Sequence, residues 1–240
     1  MTNTNKNNPA EGKSRSFFMI IAIIIAMFVA GGYLVINKDS IFPDKRLAQW
    51  EVSYVENTDT GSYIQWQKKD GHDGKIIDNY SDPQCPYCAM FEQVNHDSII
   101  EAVDAGNVFR YHPMTFLDKS HQNDYSIRNT ETIVALAKTG DAQASWRFYE
   151  EMWDVQDIVK SRGNATNDDL AKVAKDVGSP KEIVDVAKNA TGENVTDGDV
   201  NITYLRGIME SVGTPAIFVD GEFLTDPISS TVQFRNAVGL

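Results

Sequence analysis

The chain has little cysteine, little histidine and a deficit of basic residues. Of its 240 residues only two are cysteines, Cys85 and Cys88, three positions apart. No other cysteine exists to build a disulfide framework, and a bridge between these two closes a loop far too short to staple a fold. The four histidines, His72, His96, His112 and His121, show no paired spacing such as His-x3-His. That leaves a four-ligand zinc site around the cysteines short of partners, and no metal or other cofactor is expected. Lys and Arg number 22 against 34 Asp and Glu, a formal net charge of −12. The first 16 residues hold Lys6, Lys13 and Arg15 against Glu11, so the remainder carries 19 basic against 33 acidic residues. Such a surface repels phosphate backbones and argues against nucleic acid as a partner. Its ordinary consequence is solubility. No internal repeat is evident.

Charge is also missing from one continuous stretch. Phe17 to Ile36 reads FFMIIAIIIAMFVAGGYLVI, 20 residues without a charge. As a helix rising about 1.5 Å per residue it spans roughly 30 Å, the thickness of a hydrocarbon core. A buried core helix would normally show a polar stripe. A cleaved signal peptide would have a shorter apolar region and small residues before the cut, whereas a cut after Ala30 would place Phe28 at position −3. An uncleaved single-pass anchor is expected. The basic residues before it keep the N-terminus cytoplasmic and send the domain outward.

The rest is ordinary for a globular domain, with 42% hydrophobic and 23% charged residues. Residues 1–16 read as a cytoplasmic tail and 37–60 as a linker. Ser62–Trp66 alternates as a half-buried strand would, and Lys75–Tyr80 is a second short strand. A helix should open near Cys85-Pro86, with Met90, Phe91 and Val94 on its apolar face, and continue through His96–Ala105 to Gly106. Asn107–His112 is a strand. Helical patterns follow over 127–138, 141–155, 167–177, from Ser179-Pro180-Lys181-Glu182, and over 199–211. The Ser-Pro-Lys-Glu start predicts a serine cap and a glutamate closing a capping box. Ala216–Val219, a turn at Asp220-Gly221 and Glu222–Leu224 read as a hairpin. Ser229 or Ser230 caps a last helix. Trp146, Phe148, Tyr149, Met152 and Trp153 have the spacing of core residues. The Asn-x-Thr triplets at Asn164, Asn189, Asn194 and Asn201 read as incidental in an Asn- and Thr-rich chain.

Two motifs carry chemistry. In Cys85-Pro86-Tyr87-Cys88, a helix start gives Cys85 unpaired N–H groups and the positive end of the dipole, which favour a thiolate. Cys88 lies one turn deeper on the same face and can reach Cys85. Pro86 fits the first turn, where a missing N–H costs little. Disulfide exchange needs such a thiolate and a resolving thiol beside it. A CxxC metal site and an incidental pair remain alternatives at this level. The second motif is Gly213-Thr214-Pro215 before an apolar strand. A proline there deletes a ladder donor, which makes sense if the Thr214–Pro215 bond is cis and the Thr214 backbone is reserved for an extended substrate.

Over residues 60–240 these motifs, with a helical segment between them, resemble the DsbA-like branch of the thioredoxin superfamily. The resemblance implies an α/β thioredoxin fold over 61–118 and 212–240, with a helical domain inserted at 119–211. It implies Cys85 as exposed nucleophile, Cys88 as buried partner, and Pro215 as the cis-proline beside them, with Thr214 on the substrate. Family oxidases often carry His where this chain has Tyr87. They often carry a buried Glu six residues before the first cysteine, where this chain has Asn79. Asp78 and Asp82 are the nearest acids, and strand alternation puts Asp78 on the face opposite Asn79. Thr214 looks more like the isomerase relatives. The expected function is disulfide donation to reduced or misoxidised exported proteins, by a monomer recharged by a membrane-embedded partner. A reductase or isomerase on the same scaffold is the alternative, and a CxxC metal-binding module a third.

Overall fold

The structure, a computed structural model, describes residues 45–193 and 195–240. The expected tail 1–16 and anchor 17–36 lie outside them. Among the described residues no helix is long and apolar enough to cross a membrane.

A short 3-10 turn, Leu47–Gln49, leads into strand β1, Trp50–Thr58, which pairs antiparallel with β2, Gly61–Lys68. The linker expected over 37–60 is therefore largely sheet where it is described. Its sequence alternates: Trp50 is buried and Val52 half-buried, while Glu51 and Ser53 are exposed. That period of two is a strand signal. Strand β3, Ile76–Ser81, leads through helix α1, Pro86–Asp104, to β4, Val108–Pro113, parallel to β3. Strands β5, Ala216–Val219, and β6, Glu222–Phe223, close the far edge. The order across the sheet is β1-β2-β4-β3-β5-β6. Among the described residues only the β3–β4 pair is parallel, and helix α1 supplies the crossover that a parallel pair requires. The β5–β6 turn has Asp220 at φ 50° and Gly221 at φ 81°, the left-handed pair of a type I′ turn.

Between β4 and β5 the chain forms α2 (Phe116–His121), α3 (Tyr125–Ala137), α4 (Ala142–Glu151), α5 (Gln156–Arg162), α6 (Asn167–Asp176), α7 (Lys181–Asn189) and α8 (Asp197–Ile208). Helix α9, Thr231–Val238, ends the chain with Ser230 as its cap. The capping box expected at Ser179 is absent. Pro180 occupies the cap position and the buried Ser179 hydroxyl has no partner. The box forms instead at the start of α6, where Thr166 and Asp169 exchange side-chain and backbone bonds.

The inserted helices cover both sides of the sheet. On one side Trp146 and Tyr149 of α4 pack against Trp66, Phe109 and Tyr111, with ring centroids 5.1–5.8 Å apart. This is the larger core, and it also holds Phe91 and Ile99 of α1 and Phe234 of α9. On the other side Leu205 and Tyr204 of α8 meet Tyr80, Met114 and Phe218. Asn201 pins α8 there: its side chain accepts from the Ser62 N–H and donates to the Pro113 carbonyl, both at 2.8 Å. A Cβ at Gly61 would collide with that side chain, so glycine is needed for packing as well as for its φ of 98°.

Candidate active site

Cys85 stands at the N-cap of α1 with extended backbone (φ −78°, ψ 117°), and Pro86 takes the first helical position. The helix forms here because Pro86 is pre-set for it and the residues after Cys85 lack any breaker until Gly106. The turn before it is held by Asp82. One Asp82 carboxylate oxygen accepts from the Gln84 N–H (3.0 Å) and the Ser126 hydroxyl (2.6 Å), the other from the Leu117 N–H (3.0 Å). Burial pushes the Asp82 carboxyl up to about 7. Gln156 of α5 donates through Nε2 to the carbonyls of Pro83 (2.9 Å) and Cys85 (2.8 Å). The inserted helices therefore clamp the cysteine turn from outside the sheet.

The two cysteines are free thiols in very different surroundings. Cys85 is 5% exposed and Cys88 not at all. The Cys85 thiol is held down to about 6. The hydrogen bond from Cys88 does most, opposed by burial and aided by the Thr214 side chain and the N–H groups of Cys88 and Tyr87. Burial pushes the Cys88 thiol well up, its bond to Cys85 adds to this, and only the side chains of Ser81 and Thr214 oppose it. Near neutral pH the pair therefore carries one negative charge, on the outer sulfur.

The Thr214–Pro215 peptide bond is cis and brings residue 214 against the cysteines. When protonated, the Cys85 thiol donates to the Thr214 carbonyl at 3.3 Å. Beside this contact lies a groove of about 400 Å³, lined by Tyr87, Met209, Gly213, Thr214, Phe223 and Ile228 among others. Met90 and Val94, expected to be buried, are 45% and 40% exposed, and Tyr87 is 60% exposed. Positions 87, 90 and 94 share one outward stripe of α1. The inward face is instead Cys88, Phe91, Glu92, Asn95 and Ile99.

Of the polar residues around β3, Asp78 faces away from the cysteines. Its carboxylate meets His112 Nε2 at 2.8 Å and Arg110 at 3.8 Å. Asn79 faces toward them. The Ser81 hydroxyl donates to Asn79 Oδ1, and Asn79 Nδ2 donates to Glu92 Oε1 (3.2 Å) and to the Tyr149 hydroxyl (2.9 Å). Tyr149 in turn donates to Glu92. Glu92, Gln156 and Ser126 were not singled out by sequence. Glu92 alone had a signal: an acid four residues after Cys88, on a face otherwise made by Phe91 and Ile99.

A thioredoxin family model matches residues 74–238. The chain belongs to the thioredoxin family. Among solved structures it is similar to the MdbA protein, a thiol-disulfide oxidoreductase from Corynebacterium diphtheriae, with 25% identity and a TM-score of 0.65 over 82% of this chain and 98% of that one. MdbA from Corynebacterium matruchotii gives 22% and 0.65 over 77% and 90%. DsbA from Mycobacterium tuberculosis gives 20% and 0.53 over 79% and 93%; these two speak to the fold. No curated protein sequence is significantly similar to the chain. Within the family the chain is DsbA-like: a thioredoxin sheet with helices inserted between β4 and β5.

Proposed function

We propose that this protein thiol–disulfide oxidoreductase donates disulfides to newly exported proteins through Cys85 and Cys88. The observation that supports this most is the asymmetry of the pair. A thiolate on Cys85, stabilised by hydrogen bonds and the start of α1, favours the reduced form. A stable reduced form makes the disulfide a good oxidant. In this reading a substrate thiolate attacks Cys85 of the Cys85–Cys88 disulfide. The S–S bond breaks, Cys88 leaves with the electron pair, and a mixed disulfide remains on Cys85. A second substrate thiol then attacks the substrate sulfur and releases Cys85 as thiolate. Thr214 and Pro215 hold the substrate backbone by strand addition, and the groove lined by Tyr87 takes its side chains. The uncharged run 17–36 anchors the domain outside the cytoplasm, where a membrane-embedded partner reoxidises the monomer.

A reductase or isomerase role is the second reading. Tyr87 favours it because it offers no cation to the thiolate, and Thr214 favours it by its likeness to the isomerase relatives. The roles of the cysteines are tested by trapping. With a secreted protein carrying non-native disulfides as probe, the Cys85 thiolate of Cys88→Ser should attack a probe disulfide, release one probe thiol and remain as a mixed disulfide, and Cys85→Ser should form none. Equal trapping by both variants would overturn the assignment.

A further inference from the structure

We propose that Glu92 holds the proton that Cys88 gives up when it attacks and takes back when it leaves. This rests on thiol exchange through Cys85 and Cys88. Both residues lie on the buried face of α1, four positions apart, which puts their Cβ atoms about 5–6 Å from each other. A polar chain also joins them. The Ser81 hydroxyl bonds to Cys88 and to Asn79, the Asn79 amide to Glu92 and Tyr149, and the Tyr149 hydroxyl to Glu92.

The setting of Glu92 has no structural economy. A carboxylate buried without a cation is costly, and a glutamine would accept the same two hydrogen bonds. Among the described residues no Lys, Arg or His pairs with Glu92. The titratable groups facing it are Tyr149 and Glu150 from α4, Tyr111 from β4 and Cys88 from its own helix; β3 offers only neutral Asn79 and Ser81. Burial raises the Glu92 carboxyl to about 8, opposed by the bonds from Tyr149 and Asn79. Such a group exchanges a proton near neutral pH. The other acids at the site are committed elsewhere. Asp82 accepts three donors that fix the turn, and Asp78 lies across the sheet on His112 and Arg110.

In disulfide donation the balance is simple. As the substrate sulfur bonds to Cys85, the Cys85–Cys88 bond breaks and Cys88 leaves as thiolate. The Glu92 carboxyl gives its proton to that sulfur and becomes carboxylate. In the reverse step Glu92 carboxylate takes the Cys88 proton, Cys88 attacks Cys85, and the substrate sulfur leaves with the electron pair of the mixed disulfide.

The test uses the full chain, with a glutathione mixed disulfide formed on Cys85. Its resolution by Cys88 is followed from pH 5 to 10. In the unaltered protein the rate should rise to an inflection near pH 8. Glu92→Gln should lower the rate at pH 7 at least tenfold and lose the inflection, while the Cys85 thiol of the separately titrated reduced protein ionises as before. Tyr149→Phe removes a donor to the carboxylate and should move the inflection to higher pH without abolishing it. An unchanged profile in Glu92→Gln would overturn the proposal. So would equal changes in Cys85 titration and in resolution, which mark a merely structural role. If the unaltered protein neither forms nor resolves the mixed disulfide, the exchange reading itself fails, a result distinct from either.

Discussion

Strand β3 sends polar side chains to both faces of the sheet, and the two faces treat them differently. Asp78 on one face meets the Arg110 guanidinium and His112, which is stacked on Tyr80 at 3.9 Å under α8. Asn79 and Ser81 on the other face meet only neutral donors, a buried carboxyl and a buried thiol. A carboxylate beside a cation is a fixed structural charge. A carboxyl among neutral donors changes protonation at modest cost. One strand thus separates a face built to hold charge from a face built to move a proton, and the cysteines sit on the second.

The largest effect belongs to the cysteine face: Cys85→Ser should abolish exchange on a reduced protein probe. Any residual turnover through Cys88 alone would place the reactive sulfur wrongly. Next comes packing beneath that face. Trp146→Ala removes a wholly buried ring that contacts Trp50, Trp66 and Phe109, and should cost about 3–5 kcal/mol in urea unfolding. A loss below about 1 kcal/mol would mean α4 is not part of the sheet core. On the opposite face Asp78→Asn should cost about 1–2 kcal/mol, because buried His112 and Arg110 lose their anion. It should leave the Cys85 titration unmoved; a shift there would show that the faces are coupled.

A smaller effect follows from the Cys85 thiol. Its folded value near 6 lies below an ordinary thiol's, so thiolate stabilisation is fully present above about pH 9 and is lost as pH falls through 6. The melting temperature of the reduced form, relative to the oxidised form, should be higher at pH 8 than at pH 5.5. Smallest of all, Gln156→Ala removes two bonds to the cysteine turn and should cost about 1 kcal/mol, read by denaturant unfolding.

The sequence made Cys85, Cys88, Thr214 and Pro215 legible because each breaks a local rule. Two cysteines in 240 residues stand out, and a proline entering a strand needs a reason. The period changes also located β2 to β5 and most helices. What remained hidden was set by tertiary contacts. Strand β1 lies in the stretch expected as linker although Trp50, Val52 and Tyr54 alternate, because at the sheet edge it owes its extended form to pairing with β2. Helices α2 and α5 are one or two turns long and owe their place to contacts such as Leu117 with Asp82 and Gln156 with Cys85. Met90 and Val94 are apolar yet outward, on the exposed stripe of α1 rather than in the core. Asn201, the asparagine of an incidental-looking triplet, is a buried staple between β2, β4 and α8. Glu92 carries the signal of its spacing from Cys88, but an apolar face expected at Met90, Phe91 and Val94 hides it until the fold shows which way α1 turns.

In the proposed function the Cys85–Cys88 disulfide is made to be given away. Its reduction potential, from equilibration of the full chain in glutathione buffers, tests this most directly. A value on the oxidising side, near the roughly −120 mV of strong disulfide donors, is the result expected. A value near −270 mV, that of a thioredoxin-like reductant, would contradict it.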